Sequence, residues 1–542
     1  MQEENLKLRS FKVGCLPIID QFIERIGLHA KLKNVLGNNG YADAVIVLMK
    51  NILIDREAMY GIRAWSSQYD GLCEKVINDD RIGRALDRLF ETDRASLQTR
   101  VVLSAIKMFD IKMDRIHSDT TSISVSGEYA DQDSGAVQLK RGHSKDHRPD
   151  LKQLVYNLCV SADGAVPVHF KVYDGNQTDD GIQLETWNSL RALLQSPDFI
   201  YVADSKLCVE ETLRKIDREH GRFVTMVPRT RSETKEFTDA NVAGEVRWEK
   251  CLRKRSHRHG SEFDTFECAA GLFQLREGFR LYWYRSSQKK KRDAKGRKDR
   301  ISRTIEKLEN LDLNRLRGPK TEGAIKKRID RVLARYNTQE WLTVDIRFDE
   351  KSEFKATTKG KPTIETRYRR MNRKIARLHI RRNEEIIARA KCMDGIFPLA
   401  TNTKEKSVEV LKIYKYQPQL EKRHSLLKST LAVAPVWLKK NSRIEALMFV
   451  EYLAQTTAAL IERELRKQMR ETKITLLASL PEGRGSQTPT FEQLLRTFSD
   501  RSRHELHDKM KHIRTFAEPL SDVQSKVLAL LNVPKDRYLP ST

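Results

Sequence analysis

From residue 111 onward the apolar residues of this 542-residue chain stop recurring at helical spacing and begin to alternate or run together. The order of the segments that follow is the strongest constraint on its fold. IKMDRIHSD reads as extended, and QLVYNLCVSADGAVPVHFKVYDG as two strands about a tight Asp163-Gly164 turn. GIQLETWNSLRALLQS places Ile182, Trp187, Leu190 and Leu194 on one helical face. FIYVADS is a short, largely apolar run of the kind a buried strand needs. CVEETLRKIDREHG predicts a helix with Val209, Leu213 and Ile216 inward and Gly221 past its end, and FVTMVP supplies a further strand. Three strands in succession can form an antiparallel meander, and the later ones can join it through helical crossovers.

The class is therefore α/β, and the layout is that of a ribonuclease-H-like core. Residues 1–110 read as helical: LPIIDQFIERIGL carries Ile18, Phe22 and Ile26 at helical spacing and stops near Gly27, and ADAVIVLMKNIL and RIGRALDRLF continue the pattern. This region is either the part that binds DNA ends or a structural cap. Residues 111–229 are the first part of the core. Residues 230–399 interrupt it as a large, partly β insertion, with strand-like FRLYWYR and TRYRRM and a helical pair, SRTIEKLENL and GAIKKRIDRVLARY. The run QKKKRDAKGRKDR reads as a solvated charge run, with phosphate contact as the alternative. Residues 400–470 return to the core and include the long amphipathic SRIEALMFVEYLAQTTAALIERELRKQM. Residues 471–542 read as a helical C-terminal region with dimerisation as its candidate role.

Composition limits the partners. At 39% apolar residues and a mean hydropathy of −0.59 the chain is too polar for a membrane protein, and no run near the roughly 18 apolar residues of a spanning helix is evident. MQEENLKLRS has no apolar signal core. Seven scattered cysteines, odd in number and without a CxxC pair, argue against a disulfide framework and fit a reducing cytoplasm. One hundred Lys+Arg against 74 Asp+Glu give a net charge of +26, which calls for a polyanionic partner whose binding weakens steeply with salt.

Three acidic residues stand out. Asp119 and Asp204 are read at strand ends, where a side chain leaves the core at the carboxyl edge of an α/β sheet; Glu421 lies in YKYQPQLEKRHSLLK. Converging carboxylates repel one another unless a cation lies between them. Mg²⁺ takes few protein ligands, and two such ions about 4 Å apart can clamp both oxygens of an in-line phosphoryl displacement. Pro418 suits a first helical turn, so a helix should start near Gln417, with Tyr414 closing the preceding stretch. Lys428, seven residues after Glu421, should face the same side. Singly, each acid is ordinarily a turn, cap or surface residue; their combination in this order carries the signal.

These stretches resemble the DDE transposases of bacterial insertion sequences, in particular the branch with a Tyr-x2-Arg-x3-Glu-x6-Lys motif. Here the motif reads Tyr414, Gln417, Glu421 and Lys428, with glutamine in place of arginine. GHSKDHRPDLKQL, GNQTDD, DGIFPLATN and YKYQPQLEKRH are similar to one subgroup with a SKDHRPD string, the resemblance covering residues 80 to 470 or so. It implies Asp119, Asp204 and Glu421 as the catalytic, metal-binding triad for two Mg²⁺ ions (Mn²⁺ as substitute), and Tyr414 and Lys428 as contacts to transposon-end phosphates. Lys415 or Arg423 could stand in for the missing arginine. Lys145, His147 and Arg148 offer donors suited to phosphate, or else pair with Asp146 and Asp150 to fix a loop. Trp283 is more often sheet core than a stacking platform for an extruded base. The resemblance further implies metal-dependent cleavage at inverted repeats, 3′-hydroxyl strand transfer into target DNA, a homodimer on double-stranded DNA, and a bacterial cytoplasm with the nucleoid as the place of work. Rival readings are a nuclease on the same core that cuts without joining, and a DNA-binding repressor without catalysis.

Overall fold

In the computed structural model, RIHSDTTSISV forms a single strand, β1 (Arg115–Val125), and the chain is built outward from it. The structure describes residues 6–72, 77–125, 135–142, 148–255, 263–311, 321–357, 364, 366–430, 438–480, 483–508 and 511–539. They divide into two units. The first comprises Met1–Thr225, Thr401–Lys404 and Glu409–Thr542; the second comprises Met226–Ala400 and Glu405–Val408.

In the first unit, β1 is joined by β2 (Lys152–Ser161), β3 (Pro167–Tyr173), β4 (Ile200–Ala203) and β5 (Arg222–Met226) in the order β3-β2-β1-β4-β5. β1, β2 and β3 are antiparallel, as a meander joined by short turns must be. β4 and β5 run parallel to β1 and to each other. Parallel neighbours need crossovers, and the helices α1 (Asp179–Leu194) and α2 (Glu210–Arg218) supply them. Ile182, Trp187 and Leu190 of α1 and Leu213 and Ile216 of α2 are buried, whereas Val209 is exposed because it precedes the first turn of α2 as its N-cap. The left-handed residue after α2 is His220, not Gly221. Gly221 is required for a different reason: a Cβ there would stand 2.6 Å from Cζ2 of Trp187.

A 31-residue helix, Asn441–Glu471, forms the apolar centre of this unit. It is long and apolar enough to cross a membrane, contrary to the sequence reading, yet 94% of its most apolar stretch is buried among its neighbours. Phe170 of β3 stacks on Tyr452 with ring centroids 4.6 Å apart. The terminal regions are not purely helical. Leu6–Lys12 pairs with Ser502–Asp508, which pairs in turn with Lys511–Ala517, giving a three-stranded antiparallel sheet. These strands are rich in charged residues and histidine, so neither face carries a continuous apolar stripe for sequence reading to find.

The central helix also buries Glu451. Burial pushes its carboxyl well above the ordinary range, with only Arg56 opposing, and its Oε2 has no hydrogen-bond partner. Because the folded-state pKa is raised, the unfolded chain releases this proton first, and stability declines as pH rises above the ordinary glutamate value of about 4.3. Glu451→Gln removes that penalty. It is expected to stabilise the protein by about 1–3 kcal/mol at pH 8, with the gain vanishing near pH 4. Urea denaturation at both pH values checks this.

The second unit contains the antiparallel strands Trp248–Arg255, Phe263–Ala269 and Arg280–Ser286, two long helices, Ser287–Glu309 and Glu322–Tyr336, and a two-stranded ribbon, Leu342–Ala356 with Tyr368–Arg382. The basic run at 289–300 is a regular part of the first helix. Its Arg297 is buried and makes a bidentate pair with Asp394, both contacts at 2.6 Å. Trp283 is core, stacked on Phe237 with centroids 3.9 Å apart and only 1% exposed, so it offers no face to a base.

Candidate active site

β1 pairs in parallel with β4 only from Arg115 to His117, whereas its antiparallel pairing with β2 continues to Val125. Asp119 is therefore not at a strand end, as the sequence suggested, but lies mid-strand, just beyond the point where β4 stops. The strand outlasts the reading because Thr120 to Val125 keep their partners on β2. Asp204 is the residue after β4; its side chain accepts from Lys206 N (3.1 Å), and its carbonyl accepts from Thr225 Oγ1 (2.7 Å). Both acids thus stand where the sheet order reverses about β1, the crevice in which α/β sheets hold ligands.

The third acid arrives on a helix docked into that opening. Ser407–Tyr414 forms α3, and Gln417–Ser425 forms α4 with Pro418 in its first turn. Gln417 is buried; its Nε2 donates to the Ser118 carbonyl (3.0 Å), a backbone group beyond the last β4 pair, and its Oε1 meets His117 Nδ1 at 2.8 Å. The residue that replaces the motif's arginine is thus an anchor between α4 and the strand carrying Asp119. Burial lowers the His117 imidazole to about 4, with the Gln417 hydrogen bond opposing, so the ring is neutral at physiological pH. One turn after exposed Glu421, buried His424 brings Nδ1 to 3.6 Å from Asp119 Oδ2.

The buried Tyr414 feels the charge of all three acids. Burial pushes its phenol far above the ordinary value, and the carboxylates of Asp204, Glu421 and Asp119 add to the shift in that order. A hydroxyl so placed stays protonated and can only donate or accept hydrogen bonds, not act as a base. Among the described residues no three His, Cys, Asp or Glu side chains meet as a ready ligand group for one ion. The donor chemistry nevertheless suits a hard cation. All three acids are carboxylates, and Mg²⁺ binds through one or two such groups while keeping several waters.

The other expected contacts divide. After Ser425 the helix widens into a π turn, Leu426–Thr430, which advances less rotation per residue, so half-buried Lys428 falls behind the α-helical position expected for it. Arg423 is buried and donates to the carbonyls of Ala165 (3.0 Å) and Gly164 (3.2 Å) and to Glu462 Oε2 (2.8 Å). Its guanidinium is committed inside the unit and is not at a surface where a DNA phosphate could reach it. Arg148 is exposed and grips Asp150 through Nε and Nη2, at 2.9 and 2.8 Å, which favours the loop-fixing reading for that residue. Lys145 and His147 lie outside the described residues. Sequence reasoning missed His117 and His424, and read Gln417 only as a departure from the motif. The available signal was spacing: His117 precedes Asp119 by two on a strand, and His424 follows Glu421 by three on a helix.

No family model matches the chain, and no curated protein matches it. Among solved structures it is similar to the piggyBac transposase in a cryo-EM synaptic complex with hairpin DNA. That similarity has 11% identity and a TM-score of 0.28, over 51% of this chain and 61% of that one. The chain thus spans about three fifths of that structure's own length.

Proposed function

We propose that this chain is a DDE-type DNA transposase, which cuts DNA at the ends of a mobile element and joins the freed 3′-hydroxyl to target DNA. The observation that carries the reading is the docking of the glutamate helix on the strand of Asp119, through Gln417 on the Ser118 carbonyl and His424 3.6 Å from Asp119, with the charges of Asp119, Asp204 and Glu421 all felt at buried Tyr414. The sheet order β3-β2-β1-β4-β5, with its antiparallel half and its parallel half, supports a ribonuclease-H-like core beneath them. The resemblance around Tyr414, Glu421 and Lys428 supports the same assignment.

Asp119, Asp204 and Glu421 would hold Mg²⁺, which when bound supplies Lewis acidity toward the phosphodiester. The remaining chemistry belongs to the chain. Cleavage consumes one water and leaves a 3′-hydroxyl and a 5′-phosphate. Joining exchanges one phosphodiester for another, so it needs no external energy source. In both steps the protein positions the attacking oxygen and neutralises phosphate charge. Tyr414, held protonated, donates to a phosphate oxygen, and Lys428 offers positive charge from the next turn. Gln417 and His117 fix the docking of α4 on β1. His424 holds Asp119 and the glutamate helix in mutual register as a positioning residue. In this reading the working species is a dimer on DNA, and the place of work is the nucleoid.

The test is incubation of the purified chain and Mg²⁺ with duplexes carrying the inverted repeats that flank its gene, followed by strand mapping. Nicks with 3′-hydroxyl ends and joined products are expected. Nicks without joining would leave the nuclease reading, and neither product would leave the repressor. His424→Ala is expected to lower cleavage by about 10–100-fold and to raise the Mg²⁺ concentration for half-maximal rate, as loss of a group supporting a ligand does. A Mg²⁺ titration of the variant measures both. A rate loss that excess Mg²⁺ leaves wholly unrelieved would place His424 in folding instead.

A further inference from the structure

The positive charge of this chain is unevenly distributed. The second unit holds 46 Lys+Arg against 26 Asp+Glu, a net +20. The first unit, more than twice as long, holds 54 against 48, a net +6. The excess positive charge available to a polyanion is therefore concentrated in the second unit.

Within that unit the ribbon is packed along only part of its length. Its strands pair from Leu342↔Arg382 to Ala356↔Tyr368 without a bulge. The near half has a core: Leu342, Val344, Ile346, Leu378 and Ile380 pack against residues of the two long helices, among them Ile301, Ile329 and Leu333. Past Phe348↔Ala376 none of the described side chains of the ribbon belongs to that core. Phe354 is 70% exposed and Tyr368 52% exposed. Two strands continuing alone are marginal in water, since a hairpin needs a third strand or a packed face.

The register makes the far half less favourable still. It sets Lys355 directly opposite Arg369, and like charges directly opposite destabilise a sheet. Tyr368–Arg382 contains seven Lys/Arg and no Asp/Glu. A rod of phosphates relieves this repulsion, and a two-stranded ribbon is one of the few protein elements that enter the major groove of a duplex.

We propose that the far half of this ribbon is a duplex-DNA-binding arm, lying in the major groove with Lys355, Arg369 and Arg370 against the phosphates on its walls. The inference rests on the transposase reading only for the choice of DNA as the polyanion. It assigns the arm a holding role with no part in bond breaking.

The test compares full-length wild type with the triple variant Lys355→Glu, Arg369→Glu, Arg370→Glu, using fluorescence anisotropy on a random-sequence duplex from 50 to 300 mM salt. Expected is a loss of duplex affinity of at least about tenfold near 100 mM salt, with the slope of log K against log [salt] shallower by about three. Glu353→Lys, which adds charge to the same far segment, is expected to tighten binding severalfold. Unchanged affinity and slope in both variants would overturn the arm. Equal losses on duplex and on the corresponding single strand would overturn groove binding. If wild type fails to cut DNA but the variants shift binding as described, the arm stands and the catalytic reading falls; normal cutting with unshifted binding is the converse.

Discussion

Asp119→Asn is expected to lower Mg²⁺-dependent cleavage of element-end DNA by on the order of a thousandfold or more, while duplex affinity stays within about twofold. The amide keeps the shape of the carboxyl and can still accept from Thr120 N, which reaches Asp119 Oδ1 at 2.9 Å in the native protein. What it loses is the charge. A hard divalent ion binds an anionic oxygen far better than a neutral one, and Asp119 lies 3.6 Å from His424 on the strand pinned by Gln417. Fold stability should not suffer. Removing one of the carboxylates around Tyr414 relieves repulsion in the metal-free protein, so its melting temperature should hold or rise slightly. It should lower the Tyr414 phenol only slightly, since burial is the main cause of its raised value and Asp119 the smallest of the three charges that add to it. Single-turnover cleavage, anisotropy and a thermal melt separate these effects. Asp150→Asn serves as the contrast: its carboxylate faces Arg148 on the surface, and its loss should leave cleavage unchanged. If Asp119→Asn unfolded the protein or lost DNA with no specific effect on cleavage, Asp119 would be a structural residue and the site would have to be sought elsewhere.

The parts of this molecule legible in advance were those where one physical signal acted alone. The runs that became β2, β4 and β5 are nearly continuous in apolar residues because both faces are covered, and α1 shows its buried face in Ile182, Trp187 and Leu190. Asp204 could be placed because an apolar run stops at it. Asp119 was misplaced because DTTSISV mixes hydroxyl and apolar residues, and its continued pairing is decided by β2, which local sequence does not reveal. Arg297 and Arg423 illustrate a second limit. In sequence each belongs to a basic stretch, and burial follows only from a carboxylate distant along the chain, Asp394 for one and Glu462 for the other. The docking of α4 was hidden for a related reason: Gln417 reads as a departure from a motif until the open carbonyl of Ser118 gives it a purpose. Charge follows the same rule. Its total was plain from composition, but its concentration in one unit requires knowing where that unit begins and ends.

Arg423→Met is expected to destabilise the protein by about 3–5 kcal/mol and to leave the salt dependence of DNA binding unaltered. The arginine is 5% exposed, and its loss strands Glu462, which is also buried. Burial alone would push the Glu462 carboxyl up, but Arg423, Arg466 and the Phe491 N–H outweigh it and hold it below the ordinary range. In the native protein, therefore, this group contributes stability above the unfolded glutamate value of about 4.3, and the contribution is lost as pH falls through the lower folded value. With Arg423 replaced, Arg466 at 3.6 Å is the remaining cation, and burial gains the upper hand. The carboxyl should move up, and the sign of its contribution should reverse: the variant loses stability as pH rises above about 4.3. The gap between wild type and variant is thus largest near neutrality and narrows on acidification, which paired urea titrations at pH 7 and pH 4 measure. A phosphate-contact role predicts the opposite pattern: near-native stability at every pH, with a salt slope shallower by about one. The two roles an arginine can take in a basic protein, holding its own fold or holding its ligand, are distinguished here by one substitution read in two assays.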